Sequence, residues 1–231
     1  MKNISFLFTL VVGMLLFVGC PAQRQNNTPT QQKMSHQQDS LDLIAQANQK
    51  RIAQMPIQEL FAKLSVESSQ NREPFNSSAF IELSRRKEVT ADTILRAINT
   101  SDRASLLSLL LLRVKDTVMY KNVDVKKRTA ILLDALKKSE TFNLWGLPHL
   151  NLEAASNALI ECGTTALSDL RPLLKDCRKI NFYGDEEYLE FKKFNYRFCD
   201  YVLFYYKTIQ NGKFTMPEKQ EERDLLIRQI K

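Results

Sequence analysis

Residues 158–174, "ALIECGTTALSDLRPLL", form the most strongly patterned stretch of the chain. Two apolar runs lie on either side of Gly163, and Pro172 follows near the end of the second run. Apolar residues at helical spacing on both sides of a glycine are typical of two helices that meet at a corner. Because proline lacks an amide proton, we expect Pro172 to bend or end the second helix near Ser168 to Asp169.

The rest of the chain also favours an all-α fold. Only 6 Gly and 7 Pro occur in 231 residues, and no segment alternates convincingly between apolar and polar residues as a half-buried strand would. The 44% hydrophobic and 26% charged content is that of a folded domain. Helical periodicity predicts helices in the following ranges: 41–55, 56–67, 77–87, 90–100, 101–116, 124–140, 152–162, 164–177, 186–210 and 217–231.

The segment "AASNALIECGTTALSDLRPLLKD" (154–176) resembles a HEAT-type repeat unit. It shows an apolar first helix, a glycine corner and a second helix with Ala and Leu on its inner face. Looser units flank it at about 77–100, 101–140 and 186–231. The resemblance implies antiparallel helical hairpins stacked as a short HEAT-like α-solenoid within residues 41–231. Ordinary antiparallel helical bundling remains the alternative.

The first twenty residues, "MKNISFLFTLVVGMLLFVGC", have the pattern of an export signal. One basic residue, Lys2, precedes an apolar run that is too short for a spanning helix, which needs about 20 residues. The ending "FVGC" resembles a bacterial lipobox, although Phe17 stands where that pattern prefers leucine. The resemblance implies a signal peptide at residues 1–19, acylation of Cys20 with palmitate-like chains, and a place on an extracytoplasmic membrane face of the bacterial cell envelope.

Residues 20–40 follow as a glutamine-rich segment with almost no apolar residues. Such a composition buries too little surface to offset the entropy of ordering, so we expect a flexible tether before a folded domain at 41–231. Loss of residues 1–19 removes Lys2 and lowers the formal net charge from +7 to +6. An excess of this size suits anionic head groups, acidic partners or a solvated surface of mixed sign.

Three cysteines remain after Cys20: Cys162, Cys177 and Cys199. An odd number leaves at least one free thiol, although an exported protein can form disulfides. Their apolar neighbours predict buried and inert thiols. A nucleophile and base pair of Cys162 and His149 is disfavoured, because the 152–162 helix would separate them by roughly 15 Å at 1.5 Å per residue. We therefore predict no catalytic residue.

The loop "FNLWGLPHLN" (142–151) holds the only tryptophan and the only histidine of the predicted folded part. Loops on rigid scaffolds often carry function, so Trp145 and His149 are candidates for contact with a partner. In the alternative interpretation, Trp145 closes the core between helices. Both interpretations remain open from the sequence.

Residues 182–206 contain eleven aromatic side chains, interleaved with lysine and arginine. Five of them, together with Val202, recur at helical spacing, which favours core packing over the stacking of nucleic-acid bases, and we predict no nucleic-acid partner. Tyr196 and Tyr206 fall outside the main stripe. Because tyrosine is enriched at interfaces, we predict that they contribute to a partner-binding patch.

Motifs for metal, phosphate or cofactor binding are missing from the sequence. The acidic run in "YGDEEY" (183–188) falls where a helix should begin, so dipole complementarity explains it without a metal. The sequence predicts a membrane-anchored protein-binding or scaffolding module whose partner is an unknown envelope protein. The alternatives are an enzyme or accessory subunit acting on envelope polymers, and a purely structural anchor. The sequence leaves the oligomeric state open.

Overall fold

The computed structural model describes residues 29–70, 77–100 and 105–230. The predicted signal peptide, Cys20 and the start of the predicted tether lie outside these residues. The chain divides into two compact units, Met1–Gln46 and Ala47–Lys231. The helices of the described residues are α1 (Pro29–Gln54), α2 (Ile57–Gln70), α3 (Ser78–Arg85), α4 (Ala91–Thr100), α5 (Leu106–Lys115), α6 (Thr117–Asn122), α7 (Val125–Lys138), α8 (Ala154–Ile160), α9 (Leu167–Leu170), α10 (Asp185–Phe194), α11 (Phe198–Asn211) and α12 (Gln220–Ile230).

Short 3-10 helices and one small hairpin complete the described structure. The 3-10 helices are Asn143–Trp145, Gly163–Ala166 and Arg171–Lys175. Strand β1 (Gly146–Leu147) pairs antiparallel with β2 (Asn151–Leu152), which is the only sheet among the described residues. The predicted all-α class is thereby confirmed for this part of the chain. None of its helices combines the length and the hydropathy that a membrane span requires.

Helix α1 begins twelve residues earlier than the sequence predicted. The structure gives residues 29–40 as helix where we expected flexible tether, because Gln, Lys and Met are good helix formers and Pro29 suits the first helical position. Arg86 caps the C-terminal end of α1. Its guanidinium donates to the carbonyls of Met55 (2.7 Å), Ala53 (2.8 Å) and Ile52 (3.1 Å). A cation at this position also complements the helix dipole.

Helix α5 lies at the centre of the N-terminal half of the Ala47–Lys231 unit. It contacts α2, α3, α4, α6, α7 and α8. All its residues from 106 to 112 are buried, as predicted for a helix that is apolar nearly all round. The Ser105 hydroxyl caps its first turn by accepting from the amide of Ser108 at 3.2 Å.

Residues 117–122 form α6 where the sequence predicted a loop. The carboxylate of Asp116 accepts from the amides of Val118 and Met119, both at 3.0 Å, and so caps two of the free amides of this short helix. Helix α7 follows as predicted, with Lys137 and Lys138 in its last turn. The sequence analysis did not predict α6 because its start depends on a capping interaction, and apolar periodicity carries no signal for capping.

The corner predicted at Gly163 is present, and its backbone has a φ of +62°. Helix α8 ends just before it at Ile160. The segment after the corner is not the single helix predicted at 164–177 but a short α9 between two 3-10 helices. Helix α9 ends at Leu170, close to the predicted bend, because Pro172 cannot donate the amide that would continue the helix.

The single helix predicted at 186–210 is two helices, α10 and α11. Asn195 lies between them with a φ of +48°, the left-handed conformation that ends helices and that asparagine tolerates. Helix α11 then starts with a reciprocal cap, in which Asp200 accepts from the Arg197 amide at 2.9 Å. Helix α10 does begin at Asp185, within the acidic run where a helix start was predicted, and α11 ends at Asn211, one residue after the predicted end at 210.

Arg223 joins α12 to α10 and α11 inside the core. Arg223 and Asp200 are both fully buried, and Arg223 Nε lies 3.2 Å from Asp200 Oδ1. The Arg223 guanidinium also donates to the carbonyls of Phe194 (2.8 Å) and Glu218 (2.6 Å). Helix α12 starts at Gln220 and not at Pro217, where the sequence placed its first residue.

Cys177 and Cys199 form a disulfide between the segment after α9 and the first turn of α11. The prediction of three inert thiols is therefore wrong for these two cysteines, which are brought together by folding and not by sequence spacing. Cys162 is a free and buried thiol, as predicted.

Candidate partner-binding surface

The loop at 142–152 folds into the core around Trp145, whose side chain is 0% exposed. Its indole Nε1 donates to Ser139 Oγ at 3.0 Å, and its carbonyl accepts from Ser156 Oγ. The Ser156 hydroxyl also lies 2.6 Å from the hydroxyl of Tyr205. This burial agrees with the alternative in which Trp145 closes the core, and it leaves Trp145 no surface for direct contact with a partner.

Gly146 makes the turn that follows Trp145. Its φ of +72° lies in the left-handed region, and a Cβ at this position would meet the backbone of Asn151 and Glu153. The Tyr201 hydroxyl donates to the Gly146 carbonyl at 2.7 Å. Two tyrosines of α11 therefore fix the backbone at the start of the small β1–β2 hairpin. Tyr201 bonds to the Gly146 carbonyl directly, and Tyr205 acts through Ser156, which bonds to the Trp145 carbonyl.

His149 lies at the tip of this hairpin and attaches it to α10. Its ring stacks on that of Phe194, with centroids 3.8 Å apart and planes 21° apart. Nδ1 lies 3.0 Å from the Tyr196 hydroxyl, and Nε2 lies 3.4 Å from Glu190 Oε2. His149 is thus a clamp between two segments that are 41 residues or more apart in sequence.

Burial lowers the pKa of His149 below its usual value, and the nearby Glu190 carboxylate opposes that shift. His149 is therefore neutral at pH 7 and carries one donor and one acceptor nitrogen. Burial also raises the pKa of Tyr196, so its hydroxyl keeps its proton. The consistent assignment has Tyr196 donating to Nδ1 and the Nε2 proton pointing towards Glu190.

Tyr196 and Tyr206 occupy different environments. Tyr196 is almost fully buried between His149 and Arg223, whose guanidinium lies 5.4 Å from its ring centroid. Tyr206 is half-buried on α11, where it packs against the core. The structure brings His149 and Tyr196 together, and it gives Tyr206 no contact with either of them among the described interactions.

Three exposed apolar residues lie next in sequence to residues of the His149 contact. Leu150 follows His149 in the hairpin, and Tyr188 and Leu189 precede Glu190 on α10, so they lie on the two elements that this contact joins. Tyr188 is also exposed, with the ammonium group of Lys192 4.8 Å from its ring centroid. Leu150, Tyr188 and Leu189 are termed the hairpin–α10 surface below.

Cys162 has no contact with His149. Its thiol donates to the Ala158 carbonyl at 3.4 Å, and burial raises its pKa. A buried thiol with a raised pKa is a poor nucleophile because the thiolate is the reactive form. Among the residues whose side chains are described, no three His, Cys, Asp or Glu side chains are grouped to hold a metal ion.

The interactions missed from the sequence share one cause. Glu190 and Phe194 meet His149 only after the chain has folded back, and no local pattern marks them as its partners. Comparison of the chain with known protein families, curated proteins and solved structures finds no match.

Proposed function

We propose that this chain is a lipid-anchored module of the bacterial cell envelope that binds or scaffolds another envelope protein. Residues 1–19 direct export, Cys20 carries the acyl chains, and the compact unit Ala47–Lys231 supplies the binding surface. The lipobox-like ending at Cys20 supports the anchoring step. The Cys177–Cys199 disulfide supports an extracytoplasmic location, because disulfides persist in oxidising compartments.

The observation that carries the binding role is the hairpin–α10 surface. Leu150, Tyr188 and Leu189 are exposed, yet they stand on elements that the His149 clamp and the buried α11 tyrosines hold in place. Exposed apolar side chains on a rigid support bind with little loss of conformational entropy. Tyrosine is also among the residues that protein interfaces use most often as anchors.

We further propose that the helices stack as a short HEAT-like α-solenoid. Consecutive helices pack as pairs, with α2 on α3, α4 on α5 and α7 on α8, which supports this arrangement. Helix α5 contacts helices beyond its neighbours, as it would in a bundle. Native-state hydrogen exchange separates the two: a solenoid opens pair by pair from its ends, whereas a bundle protects α2 to α8 as one cooperative unit.

Replacement of Cys20 tests the anchor. We expect Cys20→Ala to prevent lipidation and to abolish incorporation of a labelled fatty acid into the protein. After separation of membranes, the variant should lose the acyl-dependent retention of the wild-type chain. Unchanged labelling and unchanged retention would exclude lipidation at Cys20.

Site-specific photo-crosslinking in intact cells tests the binding surface. A photo-reactive amino acid in place of Leu150 or of Leu189 should give a light-dependent adduct with the same envelope protein. Val118 on α6 is the matched control, since it is 69% exposed and Leu189 is 67% exposed. Adducts at all three positions, or at none, would remove the support for a specific partner at the hairpin–α10 surface.

A further inference from the structure

A buried cluster around Tyr120 joins α6 to α7 and contains two guanidinium groups. Tyr120 is 0% exposed, and Arg128 on α7 is 8% exposed. The guanidinium carbon of Arg128 lies 4.8 Å from the centroid of the Tyr120 ring. Arg113 of α5 approaches the same ring, with its guanidinium carbon 5.9 Å from the centroid. Two positive charges therefore meet at one buried aromatic side chain.

The carboxylates that could neutralise this cluster are already engaged. Glu161 lies 2.6 Å from Arg113 and balances that guanidinium. Asp116 and Asp124 cap α6 and α7, where they accept from backbone amides at 3.0 Å and 3.1 Å. Among the residues that the structure describes, no carboxylate oxygen lies within 4.0 Å of the Arg128 guanidinium. Two guanidinium groups and one carboxylate leave the cluster with one positive charge.

Two side chains of the cluster have donors without an acceptor. Arg128 donates from Nε to the Val123 carbonyl at 3.2 Å, but its two terminal nitrogens make no hydrogen bond of normal geometry to the described residues. The Tyr120 hydroxyl has no partner either. Burial raises the pKa of Tyr120, although the charge of Arg128 opposes that shift, so the hydroxyl keeps its proton and can donate it.

The other polar side chains beside the cluster already have acceptors. The Thr129 hydroxyl donates to the Val125 carbonyl at 2.8 Å, and the Cys162 thiol donates to the Ala158 carbonyl at 3.4 Å. Cys162 lies close enough to Arg128 and Tyr120 to interact with both electrostatically. Thr129 is 1% and Cys162 3% exposed, so these neighbours leave access only to a small ligand.

We propose that Arg128 and Tyr120 bind a small monovalent anion, such as chloride or formate, between α6 and α7. One negative charge neutralises the cluster, and the unpaired donors require a ligand that supplies acceptor atoms only. The site shares no residue with the hairpin–α10 surface. The inference therefore does not depend on the proposed binding role or on the membrane anchor.

The anion explains how the fold tolerates Arg128 in a buried position. Burial of a cation without a counter-ion costs free energy, and an unpaired buried hydroxyl adds to that cost. The face of the Tyr120 ring offsets only part of it. An anion that accepts from both side chains supplies the missing charge and the missing hydrogen bonds, so the folded chain gains stability as the anion concentration rises.

Thermal unfolding of the full chain in a non-ionic detergent tests the site. The melting temperature Tm is compared at equal ionic strength in the sodium salts of chloride, of formate and of 2-morpholinoethanesulfonate, which is too bulky to enter. We expect Tm to be about 3–5 °C higher in chloride and in formate than in the bulky anion. An equal Tm in the three salts would overturn the proposal.

Two substitutions separate the site from a general effect of salt. Arg128→Met should abolish the rise in Tm, whereas Arg85→Gln, which removes the same charge from an exposed position on α3, should keep it. Tyr120→Phe retains the ring under Arg128 and removes only the hydroxyl, so the affinity for either anion should fall about ten-fold. If Arg128→Met does not fold, Tyr120→Phe still decides, and a wild-type response in that variant would overturn the proposal.

Chlorine-35 NMR measures the binding of chloride directly, since exchange with a protein site broadens the resonance of the free ion. We expect broadening with the wild-type chain and with Arg85→Gln, and none beyond the buffer with Arg128→Met. Added formate should remove the broadening if both anions use the site, whereas broadening that persists in formate and still requires Arg128 would identify chloride as the ligand. Broadening that Arg128→Met retains in full would place the chloride elsewhere and overturn the proposal.

Discussion

A methyl group added to the α-carbon of Gly146 would lie 2.8 Å from the amide nitrogen of Glu153 and closer still to the carbonyl oxygen of Asn151. Both atoms belong to the backbone, so no side chain can turn away to make room. The φ of +72° adds a conformational cost that only glycine avoids. The hairpin that positions His149 thus depends on a residue with no side chain.

We predict that Gly146→Ala lowers the free energy of unfolding by about 3–5 kcal/mol, from backbone strain and overpacking together. Gly212→Ala is the control, because its φ is +78° but no atom lies within 4 Å of the added Cβ. That change should cost about 1 kcal/mol. Urea unfolding of residues 21–231 measures both, and equal losses would show that the close approach to Asn151 is absent.

The pH dependence of stability provides a test of the His149 clamp. Burial lowers the pKa of His149 in the folded chain, while Glu190 and Glu218 oppose the shift and Lys193 adds to it. Below the unfolded pKa of about 6.5, the unfolded chain takes up a proton more readily than the folded chain. The contribution of His149 to stability is therefore present above that pH and declines as the pH falls below it.

We expect the stability of the wild-type chain to fall more steeply between pH 7.5 and 5 than that of His149→Gln, as measured by urea unfolding at each pH. Glu190→Gln should lower the pKa of His149 further, because it removes the carboxylate that favours the protonated ring. NMR titration of the ring protons follows this pKa, and His36→Gln identifies the other histidine resonance. A pKa that rises in Glu190→Gln would contradict the contact.

Among the structural elements, the Cys177–Cys199 disulfide is the one whose contribution to the free energy of unfolding is easiest to predict. It closes a loop with a sequence separation of 22, and a cross-link of that length stabilises a fold by about 3 kcal/mol through the unfolded chain. We predict that Cys177→Ser lowers the free energy of unfolding by about that amount and removes its sensitivity to reductant.

Cys162→Ala serves as the control for the disulfide, since Cys162 is a free thiol in the core. That variant should keep the full response to reductant, which urea unfolding with and without dithiothreitol measures. If reductant leaves the wild-type chain unchanged, the disulfide is absent from the folded protein.

Sequence periodicity predicted the elements whose stability comes from one apolar face. Helices α5 and α7 appear where predicted because their leucine stripes pack into the core. Helix α6 was missed because its start depends on capping by Asp116, and the α10–α11 break was missed because the left-handed Asn195 decides it. Capping and left-handed termination depend on single side chains, which leave no periodic signal.

The candidate surface was predicted only in part for the same physical reason. His149 was identifiable as the one histidine of the folded part, but its partners Glu190 and Phe194 come from a distant helix. Trp145 proved to be buried. It can be buried because its polar groups have partners in the core: its indole donates a hydrogen bond to Ser139, and its carbonyl accepts one from Ser156. A loop composition that suits binding also suits packing, and only the fold separates the two.

At the scale of the whole molecule, the residues described as buried lie within the unit Ala47–Lys231, beginning at Ile52. Helices α5 and α11 are its two centres, and α8 contacts both. The side chains of α1 from 47 to 50 are exposed. Folding of the unit should therefore not require the residues before 47.

Two truncations test this expectation. A chain beginning at Ala47 should unfold within about 1 kcal/mol of residues 21–231, because it keeps the whole described core. A chain beginning at Pro56 also loses the buried Ile52 and the three carbonyls that accept from Arg86. That second truncation should cost about 2–4 kcal/mol. Urea unfolding measures both chains, and a large loss of stability already at Ala47 would show that α1 before residue 47 is part of the folded core.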